Sequence, residues 1–323
     1  MKNHFLPYPS DQIVFVYSGM GPQWPGMGSD LYHKEKDFKK IINQCDEIFN
    51  HFSGQSFINY FDSGNPLENE KNVIFLQATN LALQIAITQL WKERGVIPHA
   101  VVGHSVGEVG AAYTAEILSV EQAFFITWHR SRLQKHFEMK GAMLAIELSF
   151  QEAKALFSPK EWVEIAAIND SESLTLVGDK KVLNKISLYA SQKNVFNRFL
   201  RTNIPYHSIL MDKICKEFVE SISSLEIKQP QKKIYSSVTG TKMNQEWGVH
   251  YWWNNIRSPV NFKDAIEQIL KDGYRCFIEI SPHPTLVKSL ERCIQEGNYQ
   301  GDVFCSINRK YGAVKSLFSS SSD

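Results

Sequence analysis

The sequence predicts an α/β fold, with a parallel β-sheet covered by helices and a smaller β-rich segment inserted into the chain. Three observations predict it. Short β-branched apolar runs alternate with longer stretches of helical periodicity, which is the pattern of strands joined by crossover helices. One of these runs passes through Gly-x-Ser-x-Gly into helix-forming text, the strand-turn-helix of a nucleophile elbow. Between Gly141 and Pro205 a tighter alternation of strand and helix reads as a unit of its own.

The elements follow in order. Residues 13–17 (IVFVY) are a first core strand that breaks at Ser18 and Gly19, and the loop GMGPQWPGMG leads from it to a polar helical stretch. From residue 73 to 94 apolar positions recur at helical spacing, Gly95 stops the helix, and residues 99–103 form the strand that feeds the elbow. Ser105 sits in the turn of VVGHSVGEV, and the flanking glycines are expected to let the backbone take strained angles there. Helical text runs from 120 to 137. GAMLAIELS (141–149) and SLTLVGD (173–179) read as strands separated by the helical QEAKALF; an amphipathic helix at 181–192 and a short strand near 194–200 complete a β-α-β-α-β unit. FIEIS (277–281) is the last strand, and the low-complexity tail SLFSSSSD is expected to be disordered.

Composition excludes several functions. With 35 Lys and Arg against 34 Asp and Glu, the net charge is +1 and no basic block could neutralise a phosphate backbone, so nucleic acid is not an expected partner. No signal-peptide core and no run of about 18 uninterrupted apolar residues is visible, so no membrane association and a cytoplasmic location are expected. The five cysteines lack any Cys-x-x-Cys pair, which argues against a disulfide framework and against a metal site.

A nucleophilic serine needs a base, and His207 in IPYHSILMD and His283 in ISPHPTL are the best placed. A hydrolase order of Ser, acid, His would select His283 with Asp179 or Asp212. Arg130 offers a planar guanidinium able to hold a carboxylate by two parallel hydrogen bonds; taken alone it reads first as a surface arginine, as most arginines are exposed.

Taken together, nine ordered blocks resemble the malonyl-CoA:acyl-carrier-protein transacylase family, which includes the acyltransferase domains of type I polyketide and fatty acid synthases. They are VFVYSGMGPQWPGMG, FLQATNLALQIAITQLW, GHSVGE, WHRSRL, GAMLAIELS, AAINDSESLTLVGD, IPYHSILM, YWWNNIRSPVNF and FIEISPHPTL, spanning residues 13–290. The resemblance implies an α/β-hydrolase-like large subdomain (1–137 and 207–323) with an inserted ferredoxin-like small subdomain (138–206). It implies Ser105 as nucleophile and His207 as base, a dyad whose second ring nitrogen is held by a backbone carbonyl expected around Asn255 to Arg257, and it leaves His283 structural. The N–H groups of Met20 and Val106 become the oxyanion hole, with Met20 standing where stand-alone bacterial enzymes usually carry Gln. Arg130 becomes the substrate-carboxylate ligand, Gln77, Asn169, Tyr206 and Ile204 line the pocket, and His104 and Glu108 flank the nucleophile in supporting roles. The implied activity is transfer of a malonyl-type unit from a CoA or carrier thioester, through an ester on Ser105, to the 4'-phosphopantetheine thiol of an acyl carrier protein in polyketide, including antibiotic, or fatty acid biosynthesis. No bound cofactor and no metal are expected, and the chain is expected to act as a free-standing monomer, with an excised domain as the alternative. IPYH at Ile204 to His207 fits neither the HAFH of malonyl-selective relatives nor the YASH of methylmalonyl-selective ones, so hydroxy- and aminomalonyl units stay open. An editing hydrolase of the same fold and a non-catalytic carrier-binding module are the alternatives.

Overall fold

The computed structural model describes Pro9 and residues 12–63, 72–243 and 247–310. The low-complexity tail (316–323) lies outside the described residues. The first half of the chain runs β1 (Ile13–Tyr17), α1 (Ser29–Lys34), α2 (Lys36–Ser53), α3 (Ile58–Ser63), α4 (Val73–Glu93), β2 (Ala100–Gly103), α5 (Gly107–Thr114) and α6 (Val120–Gln134). The insertion contributes β3 (Ala142–Ile146), α7 (Phe150–Lys154), β4 (Val163–Asp170), β5 (Ser173–Gly178), α8 (Lys180–Gln192) and β6 (Asn197–Phe199). The closing part adds α9 (Cys215–Ser221), β7 (Lys233–Ser236), β8 (Thr241–Lys242), α10 (Val249–Arg257), β9 (Val260–Asn261), α11 (Phe262–Lys271), β10 (Cys276–Ile280), α12 (Val287–Glu296) and β11 (Asp302–Cys305).

The larger sheet has the order β11-β10-β1-β2-β7-β8 and is parallel except at β7–β8. Because β1 and β2 are parallel with Tyr17 opposite Gly103, the glycine-rich loop and the serine turn leave the sheet at the same carboxyl edge, where α/β sheets place their sites. β1 is buried at every residue, as a strand covered on both faces must be. Helix α4 is predominantly apolar, and its polar Gln77, Thr79, Asn80, Gln84 and Thr88 are buried too. By length and composition it could cross a membrane, yet 83% of that window is buried inside the protein, where α2, α5 and α6 pack on it.

The smaller sheet has the order β6-β3-β5-β4-β9, and its first four strands are all antiparallel. Within the insertion the chain is β-α-β-β-α-β with spatial order fourth, first, third, second, the ferredoxin-like arrangement. The sequence reading missed β4. Its VEIAAIND text shows no clean period-two pattern, because the strand is held by pairing with β5 on one side and with β9, from outside the insertion, on the other. One face of this sheet buries Leu144, Ile146, Leu174 and Leu176 under α7 and α8, and the other sends Met143, Ala166 and Val177 into the main core. At the far end, Asp170 accepts from Ser289 (2.6 Å) and Arg292 (3.0 Å) of α12, and Lys288 pairs with Glu147, tying the subdomains together.

Candidate active site

The serine turn is shaped by clearance. A Cβ on Gly103 would lie 2.2 Å from the Glu108 nitrogen, and one on Gly107 would lie 2.2 Å from the Tyr17 carbonyl oxygen. Both positions need glycine for space. The left-handed backbone is borne by Ser105 itself, at φ 53°, which corrects the expectation that the glycines take the strained angles. A non-glycine residue held there costs about 1–2 kcal/mol and persists only where the surroundings enforce it. The sharp turn projects the hydroxyl away from the sheet, and helix α5 begins two residues on.

His207 arrives from the far end of the insertion and is also left-handed, at φ 56°. Its Nε2 lies 2.7 Å from Ser105 Oγ, and its Nδ1 lies 2.8 Å from the Ser258 carbonyl oxygen. A carbonyl can only accept, so Nδ1 carries the proton and Nε2 presents the lone pair to the serine. The orienting carbonyl therefore belongs to Ser258, just beyond the expected segment from Asn255 to Arg257. The reason is that α10 ends at Arg257: the extended backbone of Ser258 caps it and turns that carbonyl out of the helix toward the imidazole. Burial, the Arg130 guanidinium and His104 push the His207 pKa down to about 3, against which the Ser258 bond works. The imidazole is neutral and ready to accept a proton.

The competing triad does not assemble. His283 accepts a backbone N–H from Arg309 at 3.4 Å, Asp179 caps the N-terminus of α8, and Asp212 pairs with Arg257 at 2.8 Å. Arg257 also reaches Glu164 of β4 at 3.4 Å, so its side chain joins the subdomains instead of orienting the base.

Gly19 is packed so closely on the elbow that a Cβ would meet the His104 carbonyl oxygen at 3.0 Å and Ser105 Cβ at 3.5 Å. Met20 follows it directly. The N–H groups of Met20 and of Val106, the N-cap of α5, donate to no other group among the described residues. They are free donors beside the serine, one of them at the positive end of a helix. His104 donates from Nε2 to Asn169 Oδ1 at 2.9 Å, which brings both of those predicted residues together across the subdomain junction; burial lowers the His104 pKa.

Arg130 is 2% exposed. Burial lowers its pKa to about 10, which leaves it a cation at neutral pH. It donates from one Nη to Asn255 Oδ1 at 2.6 Å, while its Nε has no partner. Arg132, two residues on, points elsewhere, to Glu217 and Ser221. Asn255 donates in turn to the Ser105 carbonyl (3.0 Å) and to Glu108 Oε2 (2.9 Å). The fully buried Glu108 also accepts from Ser237 N–H (2.6 Å), Ser237 Oγ (3.0 Å) and the Tyr251 hydroxyl (2.6 Å). Burial raises its pKa and these donors oppose the rise. Tyr206 is buried with its hydroxyl toward Thr202 and Gln77, Gln77 donates to Gln134 Oε1 at 3.0 Å, and Ile204 packs into the main core. No group of three or more His, Cys, Asp or Glu able to hold a metal occurs among the described residues.

Sequence reasoning missed Ser258, Gly19, Gln134, and the Ser237 and Tyr251 ends of the Glu108 network. The proline after Ser258 was the one available cue, since it ends a helix. Ser237 and Tyr251 carried no signal, because their role is created by packing.

Residues 14–314 match the acyl transferase domain family. The chain is 32% identical over 314 residues to "Probable polyketide synthase 1" of Dictyostelium discoideum, covering 92% of this chain and 10% of that protein. It is 30% identical over 308 residues to "Mycoketide-CoA synthase" of Mycobacterium tuberculosis, covering 94% and 7%. The chain thus spans a tenth or less of the length of these relatives. Among solved structures, a loading acyltransferase from the avermectin modular polyketide synthase superposes with a TM-score of 0.87 at 27% identity, covering 94% of this chain and 97% of that one. The acyltransferase domain of the polyketide synthase PpsC of Mycobacterium tuberculosis gives 0.85 at 29% identity, covering 92% of each.

Proposed function

The chain belongs to the acyl transferase domain family, and from that premise we propose that it moves a malonyl-type unit from a CoA thioester, through an ester on Ser105, to the phosphopantetheine thiol of an acyl carrier protein. The observation that carries this reading is the buried relay Ser105 Oγ, His207 Nε2, His207 Nδ1, Ser258 oxygen, with the buried cation Arg130 close enough to depress the base. A neutral, tautomer-locked imidazole is a general base, and a buried guanidinium with an unpartnered Nε is a ligand for a planar anion.

In the first half-reaction His207 Nε2 takes the Ser105 proton as Oγ attacks the thioester carbonyl. The oxyanion forms against the N–H groups of Met20 and Val106. Collapse breaks the C–S bond, His207 gives its proton to the departing CoA sulfur, and an acyl-serine ester remains. In the second half the carrier thiol gives its proton to His207 and attacks the ester, and Ser105 recovers its proton as it leaves. Arg130 holds the free carboxylate of the malonyl group throughout, aligning the carbonyl with Ser105. His104 and Asn169 brace the elbow against the small subdomain, and Gln77 and Tyr206 form the polar wall beside the clamp.

Intact-mass spectrometry with malonyl-, methylmalonyl-, hydroxymalonyl-, aminomalonyl- and acetyl-CoA tests the reading. The wild type should gain a carboxylated acyl mass and lose it on addition of a phosphopantetheinylated carrier protein. Ser105→Ala should gain none. Labelling of Ser105→Ala, or discharge by water at the rate seen with carrier, would overturn it.

A further inference from the structure

We infer that Asn255 is a positioning residue that separates two buried charges, so that Arg130 faces the site with its charge uncancelled and one edge free. The inference rests on the reading of Arg130 as the carboxylate ligand. Three contacts fix the orientation of the Asn255 amide: its NH2 faces two acceptors, the Ser105 carbonyl and Glu108 Oε2, and its oxygen faces a donor, Arg130. The opposite flip would set oxygen against oxygen and N–H against N–H.

Two consequences follow. First, Glu108 and Arg130 are both buried and opposite in charge, yet an amide stands between them. A direct pair would be stronger, but it would spend on Glu108 the guanidinium edge that a substrate carboxylate needs. The amide passes on orientation while leaving the cation to the ligand. Second, Asn255 occupies one Nη, so the edge carrying the unpartnered Nε and the second Nη is left, and that edge is a two-point fork for a carboxylate. Because the same amide grips the Ser105 carbonyl, which also accepts the Glu108 N–H at 3.0 Å, the clamp and the strained nucleophile are held in one register.

Asn255→Asp tests this with nearly the same shape. Two carboxyl groups in contact share a proton, and Arg130 draws the negative charge onto the introduced carboxyl group, so the proton resides on Glu108. Arg130 is then paired within the protein. Single-turnover acylation should show malonyl over acetyl discrimination falling by about tenfold, the scale of one charge-assisted bond, through a rise in malonyl KM alone, while loss of the bond to the Ser105 carbonyl slows the acylation step equally for malonyl and acetyl. In the double variant Asn255→Asp/Glu108→Gln the acid-acid contact is gone but the charge still sits on Arg130, so discrimination should stay low. Equal loss for both acyl groups with discrimination unchanged, or discrimination restored in the double variant, would overturn the inference and indicate a structural role. If Asn255→Asp does not fold, Asn255→Ala carries the same readout, with discrimination lost through malonyl KM. A wild type that acylates with no preference for malonyl refutes the reading of Arg130 instead, and the two failures are distinguishable.

Discussion

Lowering the pH should leave the base working long after an ordinary histidine would have failed. His207 is held from its ordinary 6.5 down to about 3, first by burial and then by Arg130 and His104. An imidazole with a pKa of 6.5 would be about 97% protonated at pH 5, and acylation would fall roughly 30-fold from its plateau. At about 3 it would fall by only a few per cent. The same shift makes a stability statement. The folded value is depressed, so the contribution is full above about pH 6.5 and is lost as pH falls from there toward 3. The whole shift is worth about 5 kcal/mol, of which roughly 3 kcal/mol is lost between pH 7.5 and 4.5. Rapid-quench acylation by malonyl-CoA from pH 8 to 5, on protein whose fold is followed by circular dichroism, reads the first effect. Urea unfolding of wild type and His207→Gln at pH 7.5 and 4.5 reads the second, and the wild type should lose about 3 kcal/mol more than the variant over that interval. An acid limb centred near pH 6.5 in acylation, or equal losses in both proteins, would refute the account of a desolvated base.

Further predictions concern the scaffold. Gly107→Ala should destabilise by 3 kcal/mol or so at the least, because its Cβ meets the Tyr17 carbonyl oxygen at 2.2 Å and neither backbone can retreat; a loss below about 1 kcal/mol in a denaturant titration would mean the turn is softer than drawn. Asp170→Ala leaves Ser289 without its acceptor and Arg292 with Glu172 alone at the subdomain junction, and should cost about 1–3 kcal/mol, read as a lower urea midpoint at unchanged slope. Ser258→Ala and Met20→Gln should keep acylation rates within about threefold of wild type, since the groups invoked there are main-chain; a loss of a hundredfold in either would place the function in the side chain instead.

Much of the fold was legible along the chain, and the reasons are local. Residues 13–17 and 100–103 are apolar and carry β-branched Ile and Val because a parallel strand is buried on both faces, and the pattern survives whatever lies next to it. β4 was not legible, since Val163–Asp170 is a strand through its partners on either side. At the site, Ser105 and His207 were readable as members of ordered blocks, and so was Arg130. Arg130 illustrates the boundary: its burial and its contact with Asn255 could not be read from WHRSRL, where a surface arginine looks the same.

The sequence by itself determined the strand-turn-helix at Ser105, the alternating α/β order, the inserted unit between Gly141 and Pro205, and a near-even charge balance. These depend on neighbours a few residues apart, whose backbone preferences are written in the residues themselves. The ordered blocks paired Ser105 with His207, and only the tertiary structure set the 2.7 Å contact between them across 102 residues. It also decided that the Ser258 carbonyl holds the imidazole, that the serine and not its glycines carries the strained backbone, and that an amide stands between Glu108 and Arg130. Each of these depends on which distant side chains packing brings within 3 Å or so, and on the exclusion of water that sets their charge states. No local preference encodes either.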